Sequence, residues 1–239
     1  MINRNTLHSI GHFIYNKILK YRVVNIVVLA ILFTTISYSQ TFIDEDFDSP
    51  LSADWVLSGT AAQNTNWLRL TDAVGNQSGT AIYNVAFPST DNVIVEFDYA
   101  AYGGDGADGI SFFLIDGTAA PSTGGAGGPL GYGYCSLCGS PVTDGVDGGW
   151  IAIGIDEFGN FEPVGGGDDC RGNYPTYAGT VPDTFTIRGE EGANYPCLGY
   201  TTLPGGALVD GVTRANSRRV RMTIIDGIVN VWLNLNDGN

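Results

Sequence analysis

Residues 219–235 read RVRMTIIDGIVNVWLNL, and their reading decides the architecture. An Asp-Gly pair at 226–227 separates two runs in which apolar and polar residues alternate. A two-residue Asp-Gly loop favours a type I′ turn, whose twist matches that of antiparallel strands, and it fixes their register. Counting outward pairs Ile224 with Val229, Met222 with Val231 and Val220 with Leu233, so six apolar side chains face the core. The opposite face pairs Thr223 with Asn230, Arg221 with Trp232 and Arg219 with Asn234. A slip of one residue would mix the two faces, so the register is well specified. Arg221 beside Trp232 predicts a cation–π contact of about 0.5–1 kcal/mol at an exposed site.

The same alternation recurs upstream. Val93–Ala100 sets Val93, Val95, Phe97 and Tyr99 on one face, with Glu96 and Asp98 on the other. Ile110–Ile115 is nearly continuous in apolar residues, which predicts a central strand. Trp150–Phe158 puts Ile151, Ile153 and Ile155 on one face and Trp150, Ala152, Gly154, Asp156 and Phe158 on the other. After residue 40 no 3.6-residue periodicity appears, and 34 glycines with only 15% charged residues suit short strands and many turns. The expected fold is all-β, an antiparallel two-sheet sandwich in one domain over residues 40–239. Residues 116–149 and 159–183 form long glycine-rich connections, the kind that carry function or move. The ending Asn236-Asp237-Gly238-Asn239 is a turn signal with no strand after it, so the domain reads as C-terminally truncated.

The N-terminal segment sets the compartment. Arg4, Lys17, Lys20 and Arg22 precede the apolar run VVNIVVLAILFTTI at 23–36, followed by Ser37-Tyr38-Ser39. This is the layout of a secretory signal peptide over residues 1–39, cut before Gln40. Fourteen helical residues reach only ~21 Å, short of a ~30 Å hydrocarbon core, and no further candidate span follows. The protein is therefore expected to be secreted or held at the cell surface. Beyond residue 39, seven basic residues face 25 acidic ones, a formal charge of −18 that disfavours nucleic acid as a partner. Both histidines, His8 and His12, lie in the leader, so the mature chain lacks Ser/His/Asp and Cys/His catalysis and any His-ligated metal. Export makes Cys135, Cys138, Cys170 and Cys197 expected disulfide partners, with three connectivities open. The 32- and 27-residue gaps fit no zinc-finger or ribbon spacing, and no helix pattern follows the Cys135–Cys138 pair to support a thioredoxin-like reading.

Three segments, in order, resemble the L-type lectins, the legume-lectin or concanavalin A-like group. Ala107-Asp108-Gly109 leading into Ile110–Leu114 resembles that family's ADG motif and apolar strand. Gly127-Gly128-Pro129-Leu130-Gly131 resembles its GGxLG loop, and Ile151–Asn160 its VAVEFDTFxN strand and loop. Asp-Gly occurs eight times, so a turn is the default meaning of any one. Asp108 is set apart by the strand that follows it and by the later GGxLG segment. The match spans roughly residues 93–235, and it implies a concanavalin A-like jelly roll with a sugar site on loops at one edge.

Carried over residue by residue, the resemblance implies that the Asp108 carboxylate accepts hydrogen bonds from vicinal sugar hydroxyls. In the Gly127-Gly128 loop, the Gly128 N–H would donate to the same sugar. Phe158 would stack on the ring, and Asn160 would donate its amide. These groups suit a saccharide: carboxylates accept charge-assisted bonds, and a bare glycine backbone approaches closely. It also implies a Ca2+ site built from Asp156, the Phe158 carbonyl and Asn160, oxygen donors that suit a hard cation. Asp168 or Asp169 is the nearest candidate for the downstream aspartate. The family's metal-ligating Glu is Gly154 here, and without His no manganese-type second site is expected.

The leading functional expectation is a non-catalytic module that binds glycans. Two alternatives stand beside it. A glycoside hydrolase of the same sandwich superfamily needs two carboxyls ~5 Å apart, but the relevant row reads Gly154, Asp156, Phe158. An adhesin or interaction module of a larger surface protein, without sugar affinity, is the other.

Overall fold

The computed structural model describes residues 42–88, 92–104, 106–135, 144–173, 179–203 and 217–234. The chain divides into two units, residues 1–42 and 43–239, and the account below concerns the second. Strands β10 (Arg218–Ile225) and β11 (Ile228–Asn234) form the hairpin read from the sequence, with all six cross-strand pairs in the expected register. Asp226 (φ 51°) and Gly227 (φ 76°) supply the two left-handed residues of a type I′ turn. Arg221 Cζ lies 5.8 Å from the Trp232 ring centroid. Strand β5 (Val93–Tyr99) pairs antiparallel with the other side of β10, Val220 opposite Phe97 and Met222 opposite Val95. On its outer face Arg219 meets Asp98 at 3.2 Å and Arg221 meets Glu96 at 3.5 Å, half-exposed pairs worth ~0.2–1 kcal/mol each.

A second antiparallel sheet has the order β6 (Gly109–Ile115), β7 (Gly149–Asp156), β8 (Thr184–Arg188), β9 (Cys197–Thr202). Its inner face packs on the β5–β10–β11 sheet. Ile153, Ile155 and Phe185 meet Tyr99, Val220 and Met222, with Ile110, Phe112, Phe97, Val229, Val231 and Leu233 around them. This is the sheet-on-sheet core of a sandwich.

The other face of the β6–β9 sheet is covered as well. Phe113, Ile115 and Ala152 lie under Tyr132, Val146 and Phe161 from the long connections and Tyr195 from the short link between β8 and β9. Packing against both faces explains the nearly continuous apolar run of β6. Among the described residues β6 stands at the end of its sheet, not at the centre, so the run marks two covered faces rather than two flanking strands.

Six shorter or less patterned strands were not legible in the sequence: β1 (Trp55–Gly59), β2 (Ala62–Asn64), β3 (Trp67–Arg69), β4 (Gly79–Tyr83), β8 and β9. β1 pairs with β4 and β2 with β3, again antiparallel. The only α-helix among the described residues, α1, is the four-residue Phe161–Val164. No helix among them is long and apolar enough to cross a membrane.

Candidate functional site

The register of β6 against β7 sets Gly109 opposite Asp156, so the chain before β6 and the chain after β7 leave the sheet side by side. The Asp108 carbonyl accepts the N–H groups of Glu157 and Phe158, both at 3.1 Å. A Cβ on Gly109 would stand 2.4 Å from the Ile155 carbonyl oxygen, so only glycine allows this approach. The Ala107–Asp108 peptide is cis.

Beyond β7 the chain folds around one carboxylate. Asp156 is 0% exposed; its Oδ1 accepts the Gly159 N–H and its Oδ2 the Phe161 N–H, each at 2.7 Å. Burial pushes the Asp156 carboxyl up to about 6 despite these donors, and the neighbouring Asp108 charge adds to the rise. Asn160 then leads into α1. Its Nδ2 donates to Asp108 Oδ1 at 3.1 Å, while its Oδ1 is buried without a hydrogen-bond partner.

The third loop arrives from residues 124–131. Ser111 Oγ of β6 donates to the Leu130 carbonyl at 2.7 Å and moors it. A Cβ on Gly127 would lie 3.6 Å from Asp108 Oδ2, and one on Gly128 would lie 3.2 Å from Asn160 Nδ2 and 2.5 Å from Val164 Cγ2. Asp108, Gly127-Gly128 and Asn160 are therefore brought together. Phe158, rooted on the Asp108 carbonyl and 44% exposed, stands at the same loop.

The candidate metal ligands do not gather in the same way. Asp168 Oδ1 accepts the Cys197 N–H at 2.7 Å and lies 3.4 Å from Arg188 Nη1. Asp169 Oδ1 accepts the Asn173 N–H at 2.7 Å. Among the described residues no group of three or more His, Cys, Asp or Glu side chains is placed to hold a metal ion. At Gly154, an added Cβ would meet the Phe161 ring at 2.3 Å, so an aromatic ring fills the space over this position.

Cys170 and Cys197 form a disulfide that ties the loop after α1 to β9. Cys135 is disulfide-bonded too; Cys138 lies outside the described residues. Sequence reasoning assigned nothing to Arg188 or Phe161, both fully buried beside the site. The available signal was slight: an arginine closing the strand pattern TFTIR in a region poor in basic residues.

Several solved structures share this arrangement of strands. The exoplasmic/lumenal domain of VIP36 in its Ca2+/Man3GlcNAc-bound form matches with a TM-score of 0.52 at 16% identity, over 80% of this chain and 70% of that one. Its metal-free form matches with a TM-score of 0.51 at 14% identity, over 78% and 67%. The Ca2+/Man2-bound form gives 0.50 at 16%, over 81% and 69%. The likeness establishes the fold: an antiparallel two-sheet β-sandwich arranged like that of the VIP36 domain. No protein-family profile matches the sequence, and no curated protein does.

Proposed function

We propose that the chain is an exported, non-catalytic carbohydrate-binding module that takes a saccharide at Asp108, Gly127-Gly128, Phe158 and Asn160. One observation carries this reading: the Asn160 amide and the Asp108 carboxylate meet at 3.1 Å, from loops 52 residues apart, against a bare glycine backbone. Asp108 offers acceptor lone pairs to vicinal hydroxyls, and the Gly128 N–H and Asn160 amide offer donors. The half-exposed Phe158 ring offers an apolar face to the C–H side of a pyranose. VIP36, a structural neighbour, has been solved with mannose-containing glycans, which supports glycans as the ligand class.

Calcium fits part of the loop. The orphaned Asn160 Oδ1 and the Asp156 carboxylate, with the Phe158 carbonyl, are the oxygens that would hold it. When bound, Ca2+ would supply positive charge beside two neighbouring carboxylates and stiffen residues 156–160. Hydrolysis finds less support. The site-side row of β7 carries only Asp156 among acids, and both of its oxygens are engaged by backbone N–H groups, where retaining hydrolysis needs two free carboxyls.

Export rests on the basic, apolar and small-residue order of residues 1–39, and the Cys170–Cys197 bond supports an oxidising compartment. Mature protein recovered from outside the cell should begin at Gln40 on N-terminal sequencing; a start at Met1 would remove the cleavage. A glycan array followed by calorimetry, with and without Ca2+, tests the binding itself. Binding to at least one glycan is expected, lost in Asp108→Ala. Folded protein that binds no glycan refutes the reading.

A further inference from the structure

Residues 161–168 wrap around one buried charge. Arg188 projects from β8 on the site-side face, cross-strand from Ala152, and is 0% exposed. Its Nε donates to the Phe161 carbonyl at 3.0 Å, Nη1 to the Tyr195 carbonyl at 2.8 Å, and Nη2 to the Asp168 carbonyl at 3.0 Å. Nη2 also donates to the Glu162 carbonyl, and Nη1 approaches Asp168 Oδ1 at 3.4 Å. Every acceptor is an oxygen, and four of the five belong to residues 161–168. A guanidinium has five N–H donors in a fixed planar fork, so the carbonyls around it are held in one arrangement.

The backbone can close this shell only because it is glycine there. A Cβ on Gly165 would lie 2.9 Å from Arg188 Nε, and one on Gly166 would lie 2.5 Å from Nη1. The Phe161 ring sits 5.6 Å from the guanidinium carbon and also covers Gly154. Burial pushes the Arg188 group down to about 10, with Asp168 and Glu162 acting against the fall, so it is a cation at neutral pH.

We propose that Arg188 is a positioning residue for the saccharide site: a resident cation that orders residues 161–168 and so sets Asn160 against Asp108, with no divalent ion needed for that segment. The link is short. Arg188 holds the carbonyl of Phe161, the residue after Asn160, and the Phe161 N–H in turn holds Asp156. Asp168 is then a partner of Arg188 and of the Cys197 N–H, not a calcium ligand. The binding half of the proposal rests on the glycan reading; the ordering half stands on geometry alone.

Hydrogen exchange read by mass spectrometry on the mature chain tests both halves. The comparison takes wild type, Arg188→Lys and Arg188→Met in EDTA and in Ca2+. Wild-type amides at 161–170 should exchange within about twofold of the same rate in chelator and in calcium. Arg188→Met should speed them about tenfold or more while the β10–β11 hairpin stays protected, and Arg188→Lys, with the charge but fewer donors, should recover part of the loss. Glycan affinity should fall in the same order. Chelator alone loosening residues 161–170 as much as Arg188→Met overturns the proposal, and so does Met protecting as well as Lys, which would make the role mere space-filling. If neither variant folds, the wild-type chelator arm still decides. A wild type that binds no glycan but keeps the exchange pattern removes the functional reading and leaves the ordering role in place.

Discussion

Asp156 and Glu157 are adjacent acids that burial drives the same way, to about 6 and about 7 respectively. Their ordinary values are 3.8 and 4.5, so between roughly pH 4 and 7 the folded chain binds protons that the unfolded chain has released. Each contribution is therefore complete at low pH and is lost as pH rises through the folded value. In chelator the melting temperature should be about 2–6 °C higher at pH 5 than at pH 8, as read by calorimetry; a flat or opposite trend would contradict the burial of these carboxyls. Gly154→Glu, which would install the acid found in the resembling family, should cost more than ~2 kcal/mol in a denaturant titration, because its Cβ alone meets the Phe161 ring. At this scale the sequence was legible where residues sit in a motif of their own, as at Asp108 and Asn160, whose side chains meet at 3.1 Å. Arg188 was not, because its partners are main-chain carbonyls on a loop with no periodicity. The contact of Asp168 with Arg188 was equally hidden, since nothing in its neighbours shows that an arginine twenty residues later approaches it.

The hairpin β10–β11 was readable to the residue because its two constraints agree. Alternation set the faces and Asp-Gly set the offset, so the pairs from Val220–Leu233 to Ile224–Val229 follow without choice. β8 and β9 carry no comparable signal. Thr184 and Thr186 are polar yet fully buried, and β9 buries no apolar face, with Leu198, Tyr200, Thr201 and Thr202 all exposed. Gly227→Ala meets no atom within 4 Å but must hold φ 76°, so its cost should be the backbone term alone, about 1 kcal/mol by denaturant unfolding. Gly128→Ala is the opposite case. Its Cβ would press on Val164 and the Asn160 amide, and glycan affinity should fall about tenfold with a smaller loss of stability.

For the sandwich as a whole, the connections are a structural layer, since Tyr132, Val146 and Phe161 of the long ones and Tyr195 of the β8–β9 link roof the outer face of the β6–β9 sheet. Replacing both Cys170 and Cys197 by serine should therefore lower stability by roughly 2–4 kcal/mol in paired denaturant melts against the wild type. An unchanged midpoint would mean that the roof is held by Arg188 and the tyrosine hydroxyls without it. The pairing of β5 with β10 has a consequence for biogenesis. Residues 93–99 emerge from the ribosome long before 218–224, and until the later strand arrives β5 lacks the one strand it pairs with among the described residues. Such late closure slows acquisition of the native state and leaves a sticky intermediate. Under the proposed export that delay is an advantage, because a polypeptide that cannot finish folding in the cytoplasm remains threadable through a translocation channel.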